Sequence, residues 1–229
     1  MKTTIIKIAT VAVSLLTFAQ NGFCQGFVNL NFESAQIIPI AGGPYVNSIA
    51  TSNALPGWTV LYGSSQQSVM SYNAPALGST FVTLYATNGL QLAGNYSVLL
   101  QGGGTASAAT ISQTGLVPAD ALSLLFYGAA NSSLSSGLVV SLGGQDISFS
   151  AISNELNYTL YGGNIPSDMA GLSEPLTFSA LEAFGGYNNW NIDDIQFSSS
   201  AVPEPSTLAL CALGGLFLVW RNRRICSKA

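Results

Sequence analysis

Three carboxylates stand out by position: Glu33 near the start of the chain, and the adjacent pair Asp193 and Asp194 near its end. Carboxylates can act as general acid and base, or ligate a hard cation such as calcium through oxygen. The rest of the composition narrows that choice. The 229 residues include ten acids, six bases and no His. The bases are Lys2, Lys7, Arg221, Arg223, Arg224 and Lys228, so residues 8–220 hold every acid and no Lys, Arg or His. The cysteines, Cys24, Cys211 and Cys226, are also confined to the ends. Nucleic-acid binding needs cations to replace phosphate counterions, and the middle has none. Histidine catalysis, Lys Schiff bases, Arg clamps on phosphate, thiolate zinc sites and disulfides are excluded there on the same grounds. Acids brought together in such a body meet no counter-charge, so either a pKa rises or a metal binds.

Strands must position these acids. Residues 26–197 read as one all-β body of short apolar runs broken by Gly, Asn, Ser and Pro. The runs are Phe81–Tyr85, Asn95–Leu100, Ala109–Thr114, Ala121–Tyr127, Leu138–Leu142, Asp146–Ser150, Tyr158–Tyr161, Leu176–Ala180 and Trp190–Phe197. Gly143-Gly144-Gln145 marks a hairpin. Many short strands with frequent turns predict a jelly-roll β-sandwich, with barrel-like closure as the alternative. Trp58 and Trp190 read as core anchors, while Tyr62, Tyr72, Tyr85 and Tyr187 are candidate surface aromatics of undetermined orientation. No glycan contact is assigned to any of them.

Asn29-Leu30-Asn31-Phe32-Glu33, then Pro56-Gly57-Trp58, then Ile192-Asp193-Asp194-Ile195 together resemble the galactose-binding-like jelly rolls, carbohydrate-binding modules among them. The resemblance implies that the first and last segments are neighbouring strands. It also implies that Glu33, with Asp193 or Asp194, helps hold a structural Ca²⁺. Adjacent residues of a regular strand face opposite ways, so only one of the two Asp is expected at such a site.

The ends read as addresses. Residues 1–24 form a signal peptide, with Lys2 and Lys7 before the apolar run Ile8–Ala19 and cleavage after Ala19 or after Cys24. Residues 198–201 read as a Ser-rich flexible linker. Then follow Val202-Pro203-Glu204-Pro205-Ser206, an apolar run of 14 residues over 207–220, and a basic cluster with Arg221, Arg223 and Arg224. The run reads as a transmembrane helix, short against the usual ~20 residues, with the basic cluster on the cytoplasmic side. The two prolines keep the preceding segment extended, as a protease binding it as a strand requires. Residues 202–226 resemble the PEP-CTERM sorting signal of Gram-negative bacteria. That resemblance implies export, a transient hold in the inner membrane, processing by a membrane exosortase-type protease, and association with exopolysaccharide or biofilm matrix.

The sequence therefore predicts an exported, non-catalytic surface or extracellular-matrix protein. The alternatives are a carbohydrate-binding module with a defined glycan, or a self-associating adhesin. Residues 26–202 carry nine acids and no base, a net charge of −9.

Overall fold

In Leu176–Ala180 every second residue is apolar, and the computed structural model buries those residues while their neighbours stay partly exposed; Leu138–Leu142 is buried with the same alternation. This period of two turns one face of each strand inward. The structure describes residues 26–203 apart from 77, 87–90, 105–106 and 133–136. The expected signal peptide (1–24), residues Glu204, Pro205 and Ser206, the apolar run 207–220 and the basic cluster lie outside the described residues.

The body is all-β. Its strands are β1 (Ser48–Ala50), β2 (Thr59–Tyr62), β3 (Ser65–Gln67), β4 (Val69–Tyr72), β5 (Phe81–Tyr85), β6 (Ser97–Gly102), β7 (Ala109–Leu116) and β8 (Ser123–Ser132). They continue as β9 (Leu138–Leu142), β10 (Gln145–Asp146), β11 (Ser150–Asn154), β12 (Thr159–Asn164), β13 (Ser173–Ala180) and β14 (Asn188–Ser198). One short helix, α1 (Thr51–Ala54), follows β1. Eight strands form one sheet in the order β1-β4-β5-β6-β14-β8-β12-β11, and six form the other, β10-β9-β13-β7-β2-β3. The β4–β5 pair is parallel, and the other pairs described are antiparallel.

The core fills the space between the sheets. Phe126 of β8 meets Phe178 of β13 edge to face at 5.2 Å, and both are fully buried. Such a pair contributes roughly 1 kcal/mol beyond the area it buries. On the outer side of the smaller sheet, hydroxyls pair across strands: Thr110 with Ser179 at 2.5 Å and Ser112 with Thr177 at 3.1 Å. With no cationic side chain available, neutral hydrogen bonds replace ion pairs as the polar cross-strand contacts.

The expected runs are strands, most with shifted ends, except Asp146–Ser150, whose residues 147–149 lie in no strand between β10 and β11. The Gly143-Gly144 hairpin forms, both glycines taking positive φ (60° and 77°), but only Gln145 and Asp146 pair back onto β9. Strands β1 to β4 and α1 are additional to the runs read from sequence. The N-terminal segment differs most. Residues 27–34 do not form a strand but a series of turns, with φ of 51° at Asn29 and 58° at Phe32. They still lie beside the last strand: Ile195 N–H donates to Leu30 O at 3.0 Å, and Phe27 stacks on Phe197 at 5.1 Å.

Candidate functional site

Glu33 is placed by its neighbours. Phe32 is fully buried beside Trp58, with ring centres 5.8 Å apart, and the Trp58 indole N–H donates to Asn29 O at 3.0 Å. This anchor holds Glu33 over the turn before β6. Glu33 Oε1 accepts the N–H of Asn95 at 2.7 Å and of Tyr96 at 3.0 Å, and Oε2 accepts Asn95 Nδ2 at 2.7 Å. Gly94 sits under the carboxylate with φ of 54°, and a Cβ there would collide with Glu33 Oε1.

Asp193, almost wholly buried in β14, grips the same turn. Its Oδ2 accepts Ala93 N–H at 3.0 Å and Ser97 O–H at 2.8 Å, and its Oδ1 accepts Asp194 N–H at 2.7 Å. Burial pushes the Asp193 carboxyl from its usual 3.8 up to about 6, while these donors pull it back down. The two acids thus meet at residues 93–97. Burial, more than repulsion by neighbouring Asp194, is the main cause of that rise.

Asp194 turns elsewhere. It lies at a β-bulge with φ of 42°, and its Oδ2 accepts Gln196 Nε2 at 2.7 Å. It also approaches Tyr127, whose phenol is pushed up to about 12, first by its hydrogen bond with Tyr158 and then by burial. Glu33, Asp193 and Asp194 therefore do not form one cluster, and no three acids that could hold a metal come together among the described residues. The oxygens of Glu33 and Asp193 face N–H and O–H hydrogens, whose positive ends would oppose a cation. As arranged, the three do not fit the oxygen cage that calcium needs.

The candidate aromatics divide. Trp58, Trp190 and Tyr85 are buried, and Tyr62 and Tyr72 pack partly buried against the core. Tyr187 is 52% exposed and lines a cleft of about 390 Å³ with Ser79, Gly102, Asn131 and Asn189.

The expected linker is tied to the body. Leu122 N–H donates to Ser198 O at 2.8 Å, and Ser123 Oγ donates to Ser200 O at 2.7 Å. Asn164, the last residue of β12, then takes both backbone groups of Val202. Val202 N–H donates to Asn164 Oδ1 at 2.7 Å, and Asn164 Nδ2 donates to Val202 O at 2.9 Å. Val202 lies over Gly162, where a Cβ would come within 3.0 Å of Val202 Cγ2. Val202 and Pro203 line a cleft of about 570 Å³ with Asp146, Phe149 and Pro166.

What Asn164 holds is the start of a recognisable segment. Residues 201–224 match the PEP-CTERM protein-sorting motif. The PEP-CTERM motif indicates export and a transient membrane anchor before surface display, and it includes Val202–Ser206 together with Arg221, Arg223 and Arg224. No helix among the described residues is long and apolar enough to cross a membrane, and the run 207–220 is outside them. Among curated protein sequences none matches the chain. Among solved structures, the chain is similar to a carbohydrate-binding module, TmCBM61 in complex with beta-1,4-galactotriose, at TM-score 0.40 and 15% identity, over 76% of this chain and 97% of that one. It is also similar to the secreted serine protease VesC from Vibrio cholerae, at TM-score 0.30 and 14% identity, over 53% of this chain. That match spans 29% of VesC.

Sequence reasoning found Glu33 and Asp193 but not their common target, the 93–97 turn. It also missed Asn164, which nothing local distinguishes from the chain's other asparagines.

Proposed function

We propose that this chain is an exported, non-catalytic β-sandwich of jelly-roll type that works at the cell surface or in an exopolysaccharide matrix. The observation that carries this reading is the PEP-CTERM motif, which begins within a few residues of the end of β14. A membrane protease of exosortase type is the partner that reads the motif. The acids at the chain junction support a structural role, since Glu33 and Asp193 hold a turn and present no free pair for acid–base work. The place of β14 between β6 and β8, in the middle of the larger sheet, supports the jelly-roll reading. Mass spectrometry of the protein recovered from outside the cell tests the proposal. A C-terminus near Pro203–Ser206 supports it, and a chain still ending at Ala229 overturns it.

A second reading, carbohydrate binding, is favoured by the Tyr187 cleft. Tyr187 is half exposed, an aromatic ring suits the apolar side of a pyranose, and the amides of Asn131 and Asn189 beside it suit the hydroxyls. In a glycan-binding assay, Tyr187→Ala should lower affinity at least tenfold while leaving the melting midpoint in place. No preference for any sugar class would remove this reading.

A further inference from the structure

We propose that Asn164 is a positioning residue for the sorting reaction: it clasps Val202 and keeps the sorting motif closed to its protease until the clasp opens. The proposal rests on the reading that the motif is processed, and adds what limits that step. A protease that binds peptide as an extended strand uses the backbone N–H and C=O of its substrate. Both groups of Val202 are already taken by one side chain, at 2.7 and 2.9 Å. Two further bonds, Ser123 Oγ to Ser200 O and Leu122 N–H to Ser198 O, extend the hold back to the end of β14. Gly162 leaves the space in which Val202 rests, since a Cβ there would also meet Ile152 at 2.5 Å and Leu125 at 2.7 Å.

Reach gives a second reason. With Val202 held, five residue steps from Val202 to Thr207 separate the folded body from the apolar run, at most about 17 Å of extended chain. With the strap released back to Ser198, nine steps give about 31 Å. A membrane protease must reach the motif between the body and the bilayer, and the released strap nearly doubles the room for it. The clasp is solvent-exposed and uncharged, so each of its bonds changes the opening equilibrium by roughly fivefold. That is a brake and not a permanent block.

The test compares wild type, Asn164→Ala and Ser123→Ala, both substitutions lying outside residues 201–224. The full chain is pulse-labelled in cells containing the sorting protease, and loss of the C-terminal tail is followed by mass. Hydrogen exchange on the purified full chain reads the Val202 amide. Asn164→Ala should convert at least threefold faster, with faster exchange at Val202 and unchanged exchange in β8 and β14. Ser123→Ala should give a smaller change in the same direction, and it decides the matter should Asn164→Ala fail to fold. Faster exchange at Val202 with conversion at the wild-type rate overturns the proposal. So does unchanged exchange at Val202. A tail retained on every chain, wild type included, removes the parent reading and this one with it.

Discussion

Gln113 grips Val28 at the start of the body as Asn164 grips Val202 at its end. Val28 N–H donates to Gln113 Oε1 at 2.6 Å, and Gln113 Nε2 donates to Val28 O at 2.9 Å. Each amide imitates a strand neighbour, offering one donor and one acceptor to a residue outside the described strands. Gln113 is almost fully buried, on the inward side of β7. Gln113→Ala should therefore cost about 1–3 kcal/mol, because it leaves the polar groups of Val28 without partners. A urea midpoint unchanged from wild type would show that water replaces the amide at no cost.

Glu33→Gln keeps the shape of the side chain but puts an NH₂ where an oxygen accepted N–H groups. The loss should be about 1–2 kcal/mol, accompanied by faster amide exchange at Asn95 and Tyr96. Gly94→Ala should be at least as damaging, since it drives a methyl into the same carboxylate from a backbone with φ of 54°. Exchange at Asn95 as slow as in wild type would remove the clamp.

Asp193 makes stability depend on pH with a definite sign. Its carboxyl takes up a proton at about 6 in the folded chain and near 3.8 when unfolded. Between those values folding binds a proton, so the contribution of Asp193 to stability falls as pH rises through the window and is level above it. The swing is at most about 3 kcal/mol. Asp193→Asn should abolish it. The difference in unfolding free energy between wild type and variant should therefore decline from pH 4 to pH 6 and then flatten. A constant difference would mean that burial does not raise this pKa.

Calcium should leave the fold unaffected at this junction. In wild type, the melting midpoint with millimolar calcium should equal that with chelator, because Glu33 and Asp193 already accept N–H and O–H donors. A rise in midpoint that disappears in Glu33→Gln would return a metal to this position.

Much of the fold is legible in the order of residues. The period of two in Leu176–Ala180 identifies a strand and its inner face, because burial on one side leaves its mark residue by residue. The early strands, from Ser48 to Tyr72, are not legible. Each has four residues or fewer, too short for alternation to rise above composition. The N-terminal segment alternates as a strand would, yet the positive φ at Asn29 and Phe32 winds it into turns. Its side-by-side placement with β14 is nevertheless implied, by the resemblance and not by the pattern.

The sequence by itself determined the chemistry that this body lacks and the sorting address at its C-terminal end. Composition settles the first: without Lys, Arg or His between residues 8 and 220, no fold can supply a cationic side chain there. Local order settles the second, since the PEP-CTERM motif is contiguous. Only the tertiary structure decided what the acids and amides hold. Glu33 and Asp193 meet over a turn in the middle of the chain, and Asn164 reaches a residue 38 positions later. Those meetings follow from strand pairing across the sheets, which is non-local, and a one-dimensional pattern records which face a residue takes but not which segment lies across from it.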